Sequence, residues 1–192
     1  MQKFEVTLEG KTPYMQHRMD DQKLEEWEKN RGLIIERDDV AKEDAIRAEY
    51  HCYRETGKDG KCYIPAEHFR AAMITAGTYV KGKVGAQTKS MKSTVAAMFS
   101  LEEERVFMPD YDEIDKRSAV NKNVKARVMV VRPKWSKWTP KFNLVVDNDS
   151  ITEETVKQIL IYAGQYVGVG SFRPTNNGMF GRFTIAKFKK VK

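Results

Sequence analysis

Three stretches of this chain combine residue types and spacing that could do chemistry. GVGSFRPTNNGMFGRF (168–183) places Gly168 and Gly170 before Arg173, and Gly178 and Gly181 before Arg182. Glycines let backbone N–H groups approach an anion closely, and the two guanidiniums add charge. A plain connector between helix and strand is the alternative. KGKVGAQTKSMKST (81–94) carries Lys81, Lys83, Lys89 and Lys92 among glycines and hydroxyls. Its Lys89-Ser90 invites a phosphate-loop reading, but Lys83 and Thr88 stand where that motif needs glycine, and a helix precedes it. A nucleotide-binding P-loop is therefore excluded, leaving a loop that touches phosphates or is merely solvated. RPKWSKWTPK (132–141) interleaves Trp135 and Trp138 with Arg132, Lys134 and Lys137, and Arg127 lies in the strand before it. Exposed aromatics among cations can stack bases while neutralising phosphates. Packing of both indoles into a core or a subunit contact is the alternative.

Catalytic and metal chemistry find less support. His51, Cys52, Cys62 and His68 form the one conceivable soft-metal set. Adjacent His51 and Cys52 point apart on a helix and no CxxC or HxxxH pair exists, so we expect no metal and no cofactor. Two cysteines make no disulfide framework. No nucleophile motif stands out and no catalytic residue is assigned. His17, His51 and His68 leave a histidine general base open as an alternative.

Charge is unevenly distributed along the 192 residues, whose formal net charge is +7. Residues 1–60 hold 11 Lys/Arg against 15 Asp/Glu, a net of −4, and residues 101–120 hold 3 against 7, also −4. Residues 61–100 hold 6 against 1, a net of +5, and residues 121–192 hold 14 against 4, a net of +10. A segregated basic surface concentrates polyanions, nucleic acid first among them. Hydrophobic residues at 41% and charged residues at 32% are ordinary for a soluble globular fold. No apolar run reaches membrane-spanning length and MQKFEVTLEG lacks a secretory apolar region, so a cytoplasmic protein without membrane contact is expected.

These stretches must be held by regular elements. Phe4, Val6 and Leu8 alternate with polar residues, which predicts a strand over 2–9. Segments 20–30 and 43–54 read as thin-striped helices, and ETGKDGK (55–61) as a turn. Pro65 suits a helix start, with Phe69, Met73, Ala76 and Val80 as its apolar face. Residues 93–99 read as a short helix, 105–108 as a short strand, and the acidic 109–123 as an exposed loop. Alternation predicts strands over 124–131 and from Phe142 to Val146. Ser150 with Glu153 suggests a capping box for a helix over 150–166, with Gly164 as a cap, before a strand over 180–188. The order strand, helix, strand, strand, helix, strand is the β-α-β-β-α-β pattern of an α+β, ferredoxin-like (RRM-like) fold. One domain over 1–192 is expected, with insertions at about 10–60 and 83–122.

Thr12-Pro13 after the first strand, Tyr63-Ile64-Pro65-Ala66 entering the first core helix, and the glycine-rich 168–183 after the last helix resemble the RAMP superfamily, the RNA-binding proteins of CRISPR systems. The likeness is strongest to their backbone subunits; a stand-alone or phage-borne relative would also suit this chain. The resemblance implies a non-catalytic protein that binds single-stranded nucleic acid, RNA before DNA, as a homo-oligomer or within a multi-subunit complex. Lys81, Lys83, Lys89, Lys92, Arg127, Arg132, Lys134 and Lys137 would track the backbone. Trp135 or Trp138 would stack a base, and Gly168, Gly170, Arg173 and Arg182 would close on the strand. A RAMP-type endoribonuclease and a phage structural or interaction subunit are the alternatives.

Overall fold

The computed structural model describes residues 1–18, 40–55, 60–84, 87–121 and 126–191. The segment 20–30 and most of the 55–61 turn lie outside them. The architecture is mixed α+β. Strand β1 (Gln2–Gly10) buries Phe4, Val6 and Leu8 and turns Lys3, Glu5 and Thr7 outward, as its alternation requires. It runs antiparallel between β11 (Phe183–Val191) and β10 (Lys141–Val146), and β10 pairs on its other edge with β6 (Phe99–Leu101), giving the order β11-β1-β10-β6.

Two helices cover the apolar face. In α2 (Ala66–Ala76), Phe69 and Met73 are buried, and the Phe69 ring sits 5.0 Å from Phe142 and 6.3 Å from Phe183. In α4 (Glu153–Tyr162), Val156, Ile159 and Leu160 are buried, and Lys157 reaches over the Phe188 ring. The helix start is not the expected capping box. Thr152 is the cap, accepting from the Thr155 N–H, while Ser150 bonds to Asn148. The opposite face is charged: Lys187 and Lys141 flank Glu5, and Lys3 pairs with Glu102.

Two expectations are corrected. Of the strand expected over 124–131, the described residues 126–131 do not join this sheet. Strand β9 (Ala126–Trp135) pairs instead with β2 (Tyr14–Met15) and β8 (Glu113–Asn121), forming a separate three-stranded sheet. The place beside β10 goes to β6, whose Phe99 is buried opposite Val146 and which comes from inside the span read as the second insertion. Alternation identifies a strand but not its partner. Likewise the acidic stretch is not a loop, because β8 carries its charges in pairs along the ladder, as Glu113 with Lys134 and Asp115 with Arg117.

The remaining elements are α1 (Val40–Tyr50), β3 (Cys62–Pro65) paired with β7 (Arg105–Met108), the hairpin β4 (Lys81–Val84) with β5 (Gln87–Ser90), and α3 (Lys92–Met98). No helix among the described residues is long and apolar enough to cross a membrane.

The end of β1 is fitted to a tryptophan. Gly10 donates its N–H to the Trp138 carbonyl at 2.9 Å, and a Cβ on Gly10 would overlap the Trp138 indole. Gly10→Ala therefore displaces a buried ring, and overpacking of this kind costs about 1–3 kcal/mol. Urea denaturation should show a lower midpoint at unchanged slope; an unchanged midpoint would contradict the packing described.

Candidate nucleic-acid interface

The glycine-rich stretch is a built wall. After α4 the chain continues through a π-helical turn (Ala163–Val167), and Gly168 leaves it at φ 71°. The stretch is then tied to the segment that follows β1. Gly181 donates to the Pro13 carbonyl at 2.8 Å, Ser171 to Met15 at 2.9 Å, and the Arg182 N–H to the Thr12 hydroxyl at 3.0 Å. Val169 donates to Gly181 across the stretch at 3.0 Å. Gly181 adopts φ 67°, and a Cβ there would collide with the Val169 carbonyl. A side chain at this position would open the wall.

Between this wall, α2 and the β2–β9 pair lies a cleft of about 670 Å³. Gly168, Gly170 and Arg173 line it, with Arg132, His17, His68, Tyr14 and Tyr53, and no carboxylate does so among the described residues. Arg132 is 6% exposed. Its Nε donates to His17 Nδ1 at 3.3 Å, its guanidinium lies 4.9 Å from the Phe172 ring centre, and its Nη1 has no partner among the described residues. His68 Nδ1 is likewise buried with no partner among the described residues. Burying a polar group unpaired is costly, so two in one cleft point to a ligand that supplies the missing partners.

Electrostatics favour an anion. Arg173, held by the Gly170 carbonyl and the Thr175 hydroxyl, supplies a second guanidinium. Asp115, the carboxylate nearest in charge to Arg132, is already bonded by Arg117 through Nε at 2.6 Å and through Nη2. Phe172 is held at φ 53°, in the left-handed region that side chains disfavour, with Arg117 and Arg132 each about one ring contact away. Its position is set by the wall and by two cations, not by its own preference.

The histidines are neutral. Burial, then the His51 and Arg132 charges, bring His17 down from 6.5 to about 4. His51 stacks on His17 at 4.3 Å and donates from Nδ1 to the Arg18 carbonyl; burial lowers it, against that bond. His68, edge-on to Tyr53, is lowered by burial and then by Arg173. Burial also pushes the Tyr14 phenol up, so it remains a donor.

The residues expected from sequence separate into groups. Gly168, Gly170, Arg132 and Arg173 meet in the cleft. Lys81, Lys89 and Lys92 are exposed on the hairpin and α3, away from the cleft lining, and Lys137 and Arg182 are exposed elsewhere. Lys134 is engaged by Glu113. The side chains of Lys83 and Arg127 lie outside the described residues. Trp135 and Trp138 are a correction: they are 1% and 2% exposed, their indole N–H groups donate to the Pro109 and Thr12 carbonyls at 2.8 Å, and Tyr14 sits between them. Fully buried rings with satisfied N–H groups offer no face to a base. The soft-metal set does not converge either, since Cys52 and Cys62 face each other at 3.4 Å while His51 turns to His17 and His68 to the cleft.

Sequence reading missed Tyr14, Gln16 and Tyr53 because it set residues 11–60 aside as an insertion. For Tyr14 and Gln16 the signal was the run Tyr14-Met15-Gln16-His17 directly after Thr12-Pro13; Tyr53 had none. Gln16 locks the floor, accepting from the Tyr53 N–H and donating to the Tyr63 carbonyl, both at 2.7 Å.

The depressed histidines make stability fall with acid. A group whose folded pKa lies below its unfolded value stabilises the fold above the unfolded pKa and loses that contribution as pH drops. For His17 the window runs from about 6.5 down to about 4, and His51 and His68 act in the same direction. Melting temperature should fall across this window, and His17→Gln should fall less steeply; parallel profiles would contradict the assignment.

No protein-family model matches the chain, and no curated protein matches it. Among solved structures it is similar to a chain from a structure titled "Type IV-B CRISPR Complex", at TM-score 0.44 and 11% identity, over 98% of this chain and 90% of that one.

Proposed function

We propose that this chain is a RAMP-like protein that binds single-stranded nucleic acid, RNA before DNA, along the cleft beneath the glycine-rich wall, and that it acts within a larger assembly. The observation that carries this reading is the buried Arg132, whose Nη1 lacks a partner in a cleft with a second arginine and no lining carboxylate among the described residues. A phosphodiester supplies the acceptor that Arg132 lacks, and a nucleobase supplies a group for His68 Nδ1. We read the sheet of order β11-β1-β10-β6, with α2 and α4 on one face, as a ferredoxin-like core. Its ligand then lies beside the core at the end of β1 and not on the open sheet face, where Glu5 and Glu102 are paired with lysines.

An endoribonuclease is the second reading, favoured by His17 and His68 lining the same cleft in the unprotonated form a general base requires. At about 4, His17 is poorly matched to proton abstraction near neutral pH, which leaves His68 as the candidate base. His68→Ala should then abolish cutting of a labelled RNA. Cutting that persists in both His68→Ala and His17→Ala would remove this reading.

Fluorescence anisotropy with labelled single-stranded RNA, single-stranded DNA and duplex DNA at two salt concentrations tests the leading proposal. Single strands should bind best, with log affinity falling by about 0.7 per log unit of salt for each phosphate neutralised. Arg173→Ala should weaken binding and reduce that slope by about one contact. Affinity that does not change with salt, or is indifferent to both Arg173→Ala and Arg132→Gln, would contradict it.

A further inference from the structure

Two exposed aromatic rings adjoin cleft-lining segments in the chain. Tyr79 is 55% exposed and Tyr166 is 53% exposed. Their ring centres are 5.6 Å apart, and Tyr162 extends the group at 5.4 Å from Tyr166. Tyr79 lies in the turn that follows α2, four residues after Thr75, and Tyr166 directly precedes Val167; Thr75 and Val167 both line the cleft. The π-helical turn packs against α2, so the tyrosines adjoin cleft-lining residues in the chain, with Tyr162 half-buried against the core.

Cations border the same place. Met91 donates its N–H to the Val80 carbonyl and the Ser90 hydroxyl donates to the Gly77 carbonyl, both at 3.0 Å. These bonds draw the β4–β5 hairpin and the start of α3 against the turn that bears Tyr79. Lys81, Lys89 and Lys92 are exposed there. Residues 68–101 and 155–192, which supply every one of these groups, contain no aspartate or glutamate. A surface shaped to dock an ordinary protein face would not be so one-sided, whereas a polyanion with aromatic bases matches both features.

We propose that Tyr79, Tyr162 and Tyr166 are a base-stacking platform, and that Lys81, Lys89 and Lys92 hold the phosphates of the strand as it leaves the cleft. The ligand is a single strand several nucleotides long, because duplex bases keep their faces covered. The proposal rests on the single-strand reading of the cleft and replaces the stacking role that the buried tryptophans cannot fill.

The test uses the full chain and two fluorescein-labelled oligoribonucleotides of equal length, one intact and one abasic at consecutive positions. Tyr79→Ala with Tyr166→Ala should weaken binding of the intact strand by roughly five- to a hundredfold per stacked base, with the salt slope unchanged. The phenylalanine counterparts should bind as the unaltered chain does, and the abasic strand should bind the unaltered chain no better than the intact strand binds the alanine variant. If the alanine variant or the abasic strand binds at full affinity while Arg173→Ala still weakens binding, the platform is overturned and the cleft reading stands. If the unaltered chain binds no single strand, both fall together.

Discussion

Everything in this structure that positions the cleft depends on the burial of Tyr14 between Trp135 and Trp138. The ring centres lie 5.4 and 5.1 Å away, and all three side chains are essentially removed from solvent. That wedge fixes the course of residues 11–16, and the backbone there becomes a set of acceptors in defined places. Thr12 receives the Trp138 indole, Pro13 receives Gly181 and Met15 receives Ser171. Residues 168–183 thus take their shape from a distant part of the chain. A wall held this way is set before a ligand arrives, which lowers the ordering cost of binding.

The same packing leaves polar groups under-satisfied. Arg132 is buried beside His17 and Phe172, and the carboxylate nearest in charge to it is committed to Arg117. Tyr14 contributes its ring to the core, and His68 Nδ1 is buried in the cleft with no partner among the described residues. Folding tolerates such arrangements when the surrounding structure over-determines them, and they concentrate where ligands bind. Neutral histidines fit the same picture, since burial and the Arg132 charge oppose a further cation at that depth. The cleft concentrates its positive charge in two guanidiniums, which suit the forked geometry of phosphate.

Sequence periodicity located β1, β10, α2 and α4 well, because each lays a regular apolar stripe on the same core. It failed where identity depends on the partner. Residues 126–135 alternate like any strand, yet only their pairing with β8 and β2 shows that they leave the main sheet. Three residues at 99–101 are too few to carry a pattern, although Phe99 completes the sheet edge. Trp135 and Trp138 sit among lysines and look exposed by composition; their burial follows from Tyr14, which lies over a hundred residues earlier. Gly168, Gly170 and Arg173 could be grouped from the sequence because glycine and arginine together have a specific physical use, and all three line the cleft. Arg132 was named for the right charge, but its burial and its contact with His17 could not be read from neighbours in sequence.

Hydrogen–deuterium exchange of the full chain, with and without a saturating single-stranded oligoribonucleotide, tests the central claim most directly. The account predicts slowed exchange at residues 14–17 and 167–173, which form the cleft, and unchanged exchange on the outer face of β1 and β11. Protection confined to that outer face, or a bound strand that leaves the cleft residues exchanging as before, would contradict it.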